Sequence, residues 1–288
     1  MQPSLPGKAQ ATLREVLPRL VLSPSLFLIL LFVYGFIIYT GYLSLTDSRM
    51  LPSYDLEGFG NYANLWGQRN WLIALYIAIC SVLGLVLAIL LDQKIRGEGI
   101  LRPIYLYPMA LSFIVTGTAW KWFLDPGLGL ENTMHLWGWE SFTFNWIKDR
   151  DMAIYTVVIA AVWQSSGFVM AMFLAGLRGI DSEIMKAAQM DGASRWSLYT
   201  RIVIPQLRPV FLSAFVVLAH LAIKAYDLVI ALTNGGPGRA TELPATFMYS
   251  YTFTRNQMGV GASSAVIMLA MIASIIVPYL YSELRERR

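Results

Sequence analysis

The chain has 288 residues, of which 56% are hydrophobic and only 14% are charged, with a formal net charge of +4. Soluble domains carry about 25% charged residues, so this chain has too little polar surface to be one. The composition also excludes a disordered chain and a soluble nucleic-acid-binding protein, and the single cysteine, Cys80, excludes a disulfide scaffold. It therefore predicts an integral membrane protein that contacts lipid and no nucleic acid.

Hydrophobic runs along the chain predict an all-α membrane protein. A helix needs about twenty mostly apolar residues to cross the hydrocarbon core of a bilayer. The first run is too long for the apolar part of a signal peptide and is predicted as an uncleaved span. The third contains Pro103 and Pro108, which membrane helices tolerate where neighbours bind the freed carbonyls. The six runs lie at 20–45, 71–92, 102–124, 152–175, 209–232 and 260–281.

The distribution of basic residues predicts the orientation of these spans. Cytoplasmic loops of membrane proteins carry an excess of Lys and Arg. With the N-terminus inside, the inner segments hold about twice as many Lys and Arg residues as the outer segments. The sequence therefore predicts that both termini are cytoplasmic, with tails at 1–19 and 283–288.

The inner loop between the fourth and fifth runs, residues 176–208, is longer than most connections within a helical bundle. Such a loop is expected to have structure of its own. Asp181 or Ser182 is a suitable cap for a helix over Glu183–Met190, which consists of good helix formers, and Gly192 is expected to end it.

A second short helix is predicted from about Ser194 to Val203, where Pro205 is expected to stop it. Ala187 and Ala188 give the first helix a face suited to close contact with another protein. The alternative is an amphipathic pair that lies on lipid headgroups, which basic residues favour equally. The residues alone favour docking only slightly.

This inner loop resembles the EAA loop of permease subunits in ATP-driven importers that depend on an extracytoplasmic binding protein. The family motif is EAA, three residues, Gly, nine residues and Ile-x-Leu-Pro. A lysine replaces the motif glutamate here, and Glu183, one turn earlier, is predicted to supply part of the lost charge. The residues that match the motif or accompany it, and are predicted to couple to the ATPase, are Glu183, Lys186, Ala187, Ala188, Asp191, Gly192, Ile202 and Pro205.

Two further stretches resemble the sugar branch of the same family, specifically the first permease of maltose-type transporters. One is Leu232–Glu242, which contains Gly-Gly-Pro-Gly, and the other runs from Pro108 to Trp120 and on to Asp125-Pro126. The resemblance covers most of residues 70–282, the predicted permease domain. It implies the transmembrane fold of a type I ABC importer, with six transmembrane helices.

The resemblance also implies partners and a location. In that family the first helix of the loop is a coupling helix that sits in a cleft of a separate ATP-binding subunit. The expected assembly contains a second homologous permease, two ATP-binding subunits and an extracytoplasmic solute-binding protein, in the cytoplasmic membrane of a bacterium or archaeon. This chain has no G-x-x-x-x-G-K-[ST] loop, so ATP and Mg²⁺ are expected in the partner and no cofactor in this chain.

Three polar residues of the fifth run are candidates to line a path for the substrate. An ionisable side chain at the centre of a span costs about 2.5–3.5 kcal/mol on insertion scales, so it usually has a purpose. The spacing of His220, Lys224 and Asp227 predicts that they share one helix face. In the alternative interpretation Lys224 and Asp227 neutralise each other and His220 is a packed, hydrogen-bonded group.

The fourth run offers an amide, a hydroxyl and an aromatic ring in Gln164, Ser165 and Phe168, a combination suited to binding a sugar. Helix packing by small polar groups is an equally good explanation of the first two. Neither histidine has partners at metal-ligand spacing, and no nucleophile–base pair or paired carboxylate predicts catalysis. We therefore expect no metal site and no enzymatic activity in this chain.

The leading hypothesis is a permease subunit that forms half of a translocation path for a sugar or related carbohydrate and couples to a separate ATPase. An ion-coupled secondary transporter, with Lys224 and Asp227 as the coupling pair, is the main alternative. Such transporters usually contain internal repeats, and none is evident in this sequence. A membrane scaffold would explain the docking loop but not the charges within a span.

Overall fold

A computed structural model describes residues 19, 21–63, 71–93 and 97–286. Apart from one isolated antiparallel bridge between Thr46 and Leu56, these residues form helices, turns and loops. The all-α prediction is therefore confirmed. In chain order the helices are α1 (Val21–Ser44), α2 (Gly60–Ala63), α3 (Trp71–Asp92), α4 (Glu98–Ala110), α5 (Phe113–Phe123), α6 (Leu130–Leu136), α7 (Ala153–Arg178), α8 (Ser182–Met190), α9 (Arg195–Gln206), α10 (Arg208–Ile223), α11 (Asp227–Thr233), α12 (Pro244–Tyr249) and α13 (Met258–Glu286).

Four of these helices, α1, α3, α7 and α13, are long and apolar enough to cross a bilayer. Two bent pairs pass the same test together, α4 with α5 at an angle of 100° and α9 with α10 at 64°. When each bent pair counts as one span the described chain has six, the number predicted from the sequence.

The third predicted span, 102–124, is not a continuous helix. Helix α4 ends at Ala110, Leu111 adopts an extended conformation, and the hydroxyl of Ser112 accepts a hydrogen bond from the amide of Val115 to begin α5. Both predicted prolines lie inside α4. The break follows Pro108 because an extended residue and a serine cap come next, which turns the chain by 100°.

The fifth predicted span, 209–232, is also interrupted. Helix α10 ends at Ile223, and α11 begins only at Asp227. His220 and Asp227 therefore lie on different helices, and helical spacing does not relate their positions. The prediction that His220, Lys224 and Asp227 share one helix face is wrong. Unpaired backbone groups at such a break need a protein or water partner, which is why broken helices in membranes usually lie against cavities.

The core of the described structure lies around α7, and 67% of its most apolar stretch is buried. Apolar burial drives helix association weakly in lipid, so close packing at small residues matters more. Gly167 of α7 lies so close to the carbonyl of Tyr105 in α4 that a Cβ at this position would collide with it. A Cβ at Gly84 of α3 would also come too close to the side chain of Val169 in α7, although by less. These two glycines allow α3 and α4 to pack directly against α7.

Helix α1 has a different environment from α7. None of its most apolar stretch is buried within this chain, and its C-terminal end packs against α13. The predicted run begins at residue 20, which lies outside the described residues, as do residues 1–18 of the predicted N-terminal tail 1–19 and the last two residues of the chain.

Candidate docking loop and membrane cavity

Helix α8 begins and ends as the sequence predicts. The carboxylate of Asp181 accepts a hydrogen bond of 2.8 Å from the amide of Glu183, which caps the N-terminus. At the other end the amide of Gly192 donates to the carbonyl of Gln189, and the amide of Ala193 donates to that of Ala188. Gly192 has φ of +79°, a conformation that glycine adopts without strain. The turn to α9 therefore depends on this glycine.

The second helix of the loop is longer than predicted. Ser194 caps α9 by accepting a hydrogen bond of 3.2 Å from the amide of Ser197. The expected stop at Pro205 is wrong, because the helix continues to Gln206 and the chain bends at Leu207. The turn Tyr199–Val203 is π-helical, and this wider turn accommodates a proline that cannot donate a regular helical hydrogen bond.

Helix α8 presents one face to the bundle and one to its surroundings. Met185 packs against the main core, and Ala188 on the same side is half-buried. Glu183, Lys186, Ala187 and Met190 are exposed, and their spacing places them on a single face. Met190 is 89% exposed. This face holds three of the predicted coupling residues together, whereas Ala188 lies on the opposite side.

The exposed face has the composition of a docking surface. Neither Glu183 nor Lys186 forms an ion pair within residues 97–286, so both charges are available to a partner. Trp196, near the start of α9, is 81% exposed. Large apolar side chains among charges are typical of protein interfaces. Sequence reasoning missed Trp196, although its place in a short capped helix within a polar loop was a usable signal. The predicted Ile202 and Pro205 lie further along α9 and are not part of this face.

Arg178, the last residue of α7, anchors the base of the loop. Its guanidinium forms a hydrogen-bonded ion pair with Glu98 of α4 and lies 3.9 Å from a carboxylate oxygen of Asp92 in α3. Three helix ends therefore meet where the chain leaves the bundle towards α8. No local pattern predicts this cluster, because Arg178 is distant along the chain from Asp92 and Glu98.

The break between α10 and α11 opens onto a cavity of about 220 Å³. Although they share no helix face, His220, Lys224 and Asp227 all line this cavity, together with Phe113 and Tyr226. All three polar residues are exposed within this chain. Lys224 and Asp227 form no ion pair with each other or with any other described side chain, so the interpretation of mutual neutralisation is not supported.

The patch proposed on α7 does not face this cavity as a unit. The amide of Gln164 donates a hydrogen bond of 2.8 Å to the carbonyl of Leu111, at the break between α4 and α5. The hydroxyl of Tyr76 donates to that of Ser165 at 2.8 Å, and both polar groups of α7 are buried. Phe168 is half-buried. Gln164 and Ser165 thus join helices in this structure, as the packing alternative proposes, and their role in sugar binding stays a prediction.

The family described as the binding-protein-dependent transport system inner membrane component matches residues 80–288. The chain belongs to this family. It is accordingly the transmembrane permease subunit of an ATP-driven importer and a multi-pass inner-membrane protein. The family is a transport component, so the expectation of a non-catalytic subunit agrees with it.

Two relatives and one solved structure are similar to the permease over most of its length. It is 44% identical over 273 residues to a protein named a probable ABC transporter permease from Pyrococcus horikoshii, covering 91% of this chain and 94% of that one. It is 36% identical over 269 residues to a xylose/arabinose import permease protein from Haloferax volcanii, covering 88% and 84%.

The fold is similar to a chain in the crystal structure of a bacterial ABC transporter involved in the import of the acidic polysaccharide alginate. The TM-score is 0.74 at 18% identity, over 96% of the permease and 99% of that chain. The predicted fold of an ABC importer transmembrane domain is therefore confirmed. The residue boundaries of the tails and of the permease domain stay predictions.

Proposed function

We propose that the permease forms half of the translocation path of an importer for a sugar or related carbohydrate. The Haloferax volcanii relative is named for xylose and arabinose, and the transporter with the similar fold imports a polysaccharide. The other half of the path is a second, homologous permease. An extracytoplasmic binding protein delivers the solute, and two ATP-binding subunits attach on the side of α8.

The exposed face of α8 carries this proposal. Because Met190, Glu183 and Lys186 are exposed on one face and Met185 holds the opposite face against the core, a partner that binds α8 is connected directly to the bundle. Closure of the ATP-binding subunits displaces α8, and the short link through Arg178 passes the displacement to α7. ATP and Mg²⁺ belong to these partner subunits. The face of α8 is cytoplasmic in this arrangement, and so are both termini.

The cavity at the helix break is the section of the path that this chain contributes. Sugar hydroxyls both donate and accept hydrogen bonds. His220, Lys224 and Asp227 offer hydrogen-bond donors and acceptors at the cavity, and Lys224 and Asp227 are not engaged in an ion pair with any described side chain. An unpaired ionisable side chain within a membrane protein usually faces such a cavity. Alternating exposure of this cavity to the two sides of the membrane completes transport.

The experiment that tests the docking step is purification of the tagged chain from its native membrane in mild detergent, with identification of every protein that co-purifies. Wild-type chain is expected to bring down an ATP-binding subunit and a second permease. The variant Met190→Arg places a charge at the C-terminal end of the exposed face and is expected to lose the ATP-binding subunit while keeping the second permease.

The matched control is Leu128→Arg, which changes a leucine that is 82% exposed in a loop before α6. This variant is expected to retain all partners. Equal recovery of the ATP-binding subunit by both variants, or a wild-type chain that purifies alone in several detergents, contradicts the docking assignment.

A further inference from the structure

Helix α12 and the π-helical turn Ser250–Thr254 that follows it carry residues of two groups of aromatic rings. The first is a stack of Phe247 and Tyr251, with ring centroids 4.1 Å apart and planes at 19°. Phe247 is buried, and two cations lie over this stack: Arg239 is 5.6 Å from the Phe247 ring, and Arg255 is 4.5 Å from the Tyr251 ring. Arg239 is held in turn by Glu242. This stack is closed by its own neighbours and serves the fold.

The second group is open. Tyr226, Tyr249 and Phe253 form a row of tilted rings, with centroid distances of 4.9 Å and 5.1 Å and angles of 49° and 45° between neighbouring planes. Tyr249 is 43% exposed and Phe253 is 65% exposed. No cation lies over any of these three rings in the part of the chain that the structure describes. We call these three residues the open stack.

One end of the open stack reaches the cavity. Tyr226 lies in the break between α10 and α11 and lines the same space as His220, Lys224 and Asp227. The other end, at Phe253, is the most exposed of the three rings. The rings therefore form a continuous row from the surface of the chain to the polar lining of the cavity.

This combination of groups matches the chemistry of a carbohydrate. A sugar ring has an apolar face of C–H groups that packs against the electron-rich face of an aromatic ring, and its edge carries hydroxyls that need hydrogen-bond partners. A lipid chain would use the ring faces but not the adjacent ionisable groups. Binding pockets for small molecules commonly combine aromatic walls with a few polar groups in this way.

We propose that the open stack of Tyr226, Tyr249 and Phe253 is a carbohydrate-binding track that leads a sugar ring from the surface into the cavity. The inference rests on the proposed function, because it takes the solute to be a carbohydrate. The track binds by ring faces, so it accepts different sugars, and the polar groups of the cavity receive the hydroxyls at its inner end.

The test uses the complete importer, co-purified with its partners, in proteoliposomes of phosphatidylethanolamine and phosphatidylglycerol. Import of radiolabelled xylose, arabinose, maltose and trehalose and the hydrolysis of ATP are measured on the same sample. The variants Tyr249→Leu and Phe253→Leu keep apolar volume but remove a ring face. Each is expected to lower the number of sugars imported per ATP hydrolysed by about 3- to 10-fold.

The aromatic replacements Tyr249→Phe and Phe253→Tyr are expected to keep the wild-type ratio. A matched control is Phe36→Leu in α1. This phenylalanine is 64% exposed and does not line the cavity. This control is also expected to keep the ratio. The ratio is informative because a folding defect lowers import and ATP hydrolysis together.

The possible failures are distinguishable. Unchanged ratios in both leucine variants, with sugar import by the wild type, overturn the track and leave the proposed function intact. Parallel loss of import and ATP hydrolysis in those variants assigns the open stack to structure and also overturns the track. A wild-type importer that hydrolyses ATP but takes up none of the four sugars overturns the carbohydrate assignment, and the ligand of the track with it.

Discussion

The inner loop and the membrane cavity of this permease are specified in different ways. In the loop, each turn of α8 depends on residues within a few positions: Asp181 caps the helix, and Gly192 ends it with a positive φ. The cavity is also lined by Phe113, which begins α5, and the break between α4 and α5 just before it is held by Gln164 of α7, more than fifty residues away along the chain. Local sequence patterns determine the structure of the docking loop, whereas contacts between residues distant in sequence determine the structure around the cavity.

The largest expected effect comes from a change in α7, the helix that connects to the docking loop and packs against the helices around the cavity. The variant Gly167→Ala places a methyl group against the carbonyl of Tyr105, and backbone cannot move aside as a side chain can. We expect a loss of about 1–3 kcal/mol in the free energy of unfolding. Thermal unfolding of the purified chain in detergent measures it. The control Gly35→Ala, with open space around its Cβ, is expected to leave the unfolding temperature unchanged.

The next change affects the break between α4 and α5 and not the loop. Gln164→Met keeps the volume of the side chain but removes the hydrogen bond to the carbonyl of Leu111. This carbonyl is only partly buried, so the loss of its partner costs at most about 1–3 kcal/mol. Sugar import is expected to fall, while co-purification of the ATP-binding subunit continues. Loss of that subunit in Gln164→Met would contradict the separation of the two regions.

The corresponding change in the loop is Gly192→Ala. A residue with a Cβ at φ of +79° costs about 1–2 kcal/mol, so the turn between α8 and α9 is expected to loosen. Faster hydrogen exchange of the α8 amides and weaker recovery of the ATP-binding subunit are the expected results. Gly99→Ala is the matched control, because Gly99 has neither a positive φ nor an atom within 4 Å of its Cβ position. Equal exchange rates in the two variants would argue against a role for the glycine turn.

The smallest expected effect on stability comes from Arg178→Met. The ion pairs of Arg178 are partly exposed, and exposed pairs contribute only about 0–1 kcal/mol. We expect a small change in unfolding temperature but a clear fall in sugar import per ATP hydrolysed, because the end of α7 that leads to α8 is no longer tied to α3 and α4. A variant with wild-type import per ATP would show that Arg178 does not transmit the displacement of α8.

The same difference explains which features were predictable from the sequence. The number of hydrophobic runs, the start of α8 and the turn at Gly192 rest on local patterns, and the structure agrees with them. The break at Leu111 interrupts a run that stays apolar, so hydropathy shows no boundary there, whereas Lys224 and Asp227 mark the break after Ile223. The predicted shared helix face of His220, Lys224 and Asp227 is wrong, but all three line one cavity, and their role in the path stays a prediction.

Other features depend on contacts that no local pattern contains. The cluster of Arg178 with Asp92 and Glu98 joins three helix ends, and the open stack joins Tyr226 to a helix that begins many residues later. The apolar sequence of α7 also gave no sign that Gln164 binds the break in another helix. Contacts between residues this far apart in sequence can be identified only from the packed structure.

The central claim is that ATP hydrolysis by partners on α8 drives carbohydrate through the cavity. Its most direct test is uptake of labelled xylose, arabinose, maltose and trehalose by the co-purified complex with its binding protein in sealed proteoliposomes. Uptake is compared with ATP on the side of α8, without ATP, and with an imposed proton or sodium gradient alone. The account predicts uptake of at least one sugar that requires ATP and is unaffected by the gradients. Uptake driven by a gradient in the absence of ATP would contradict it.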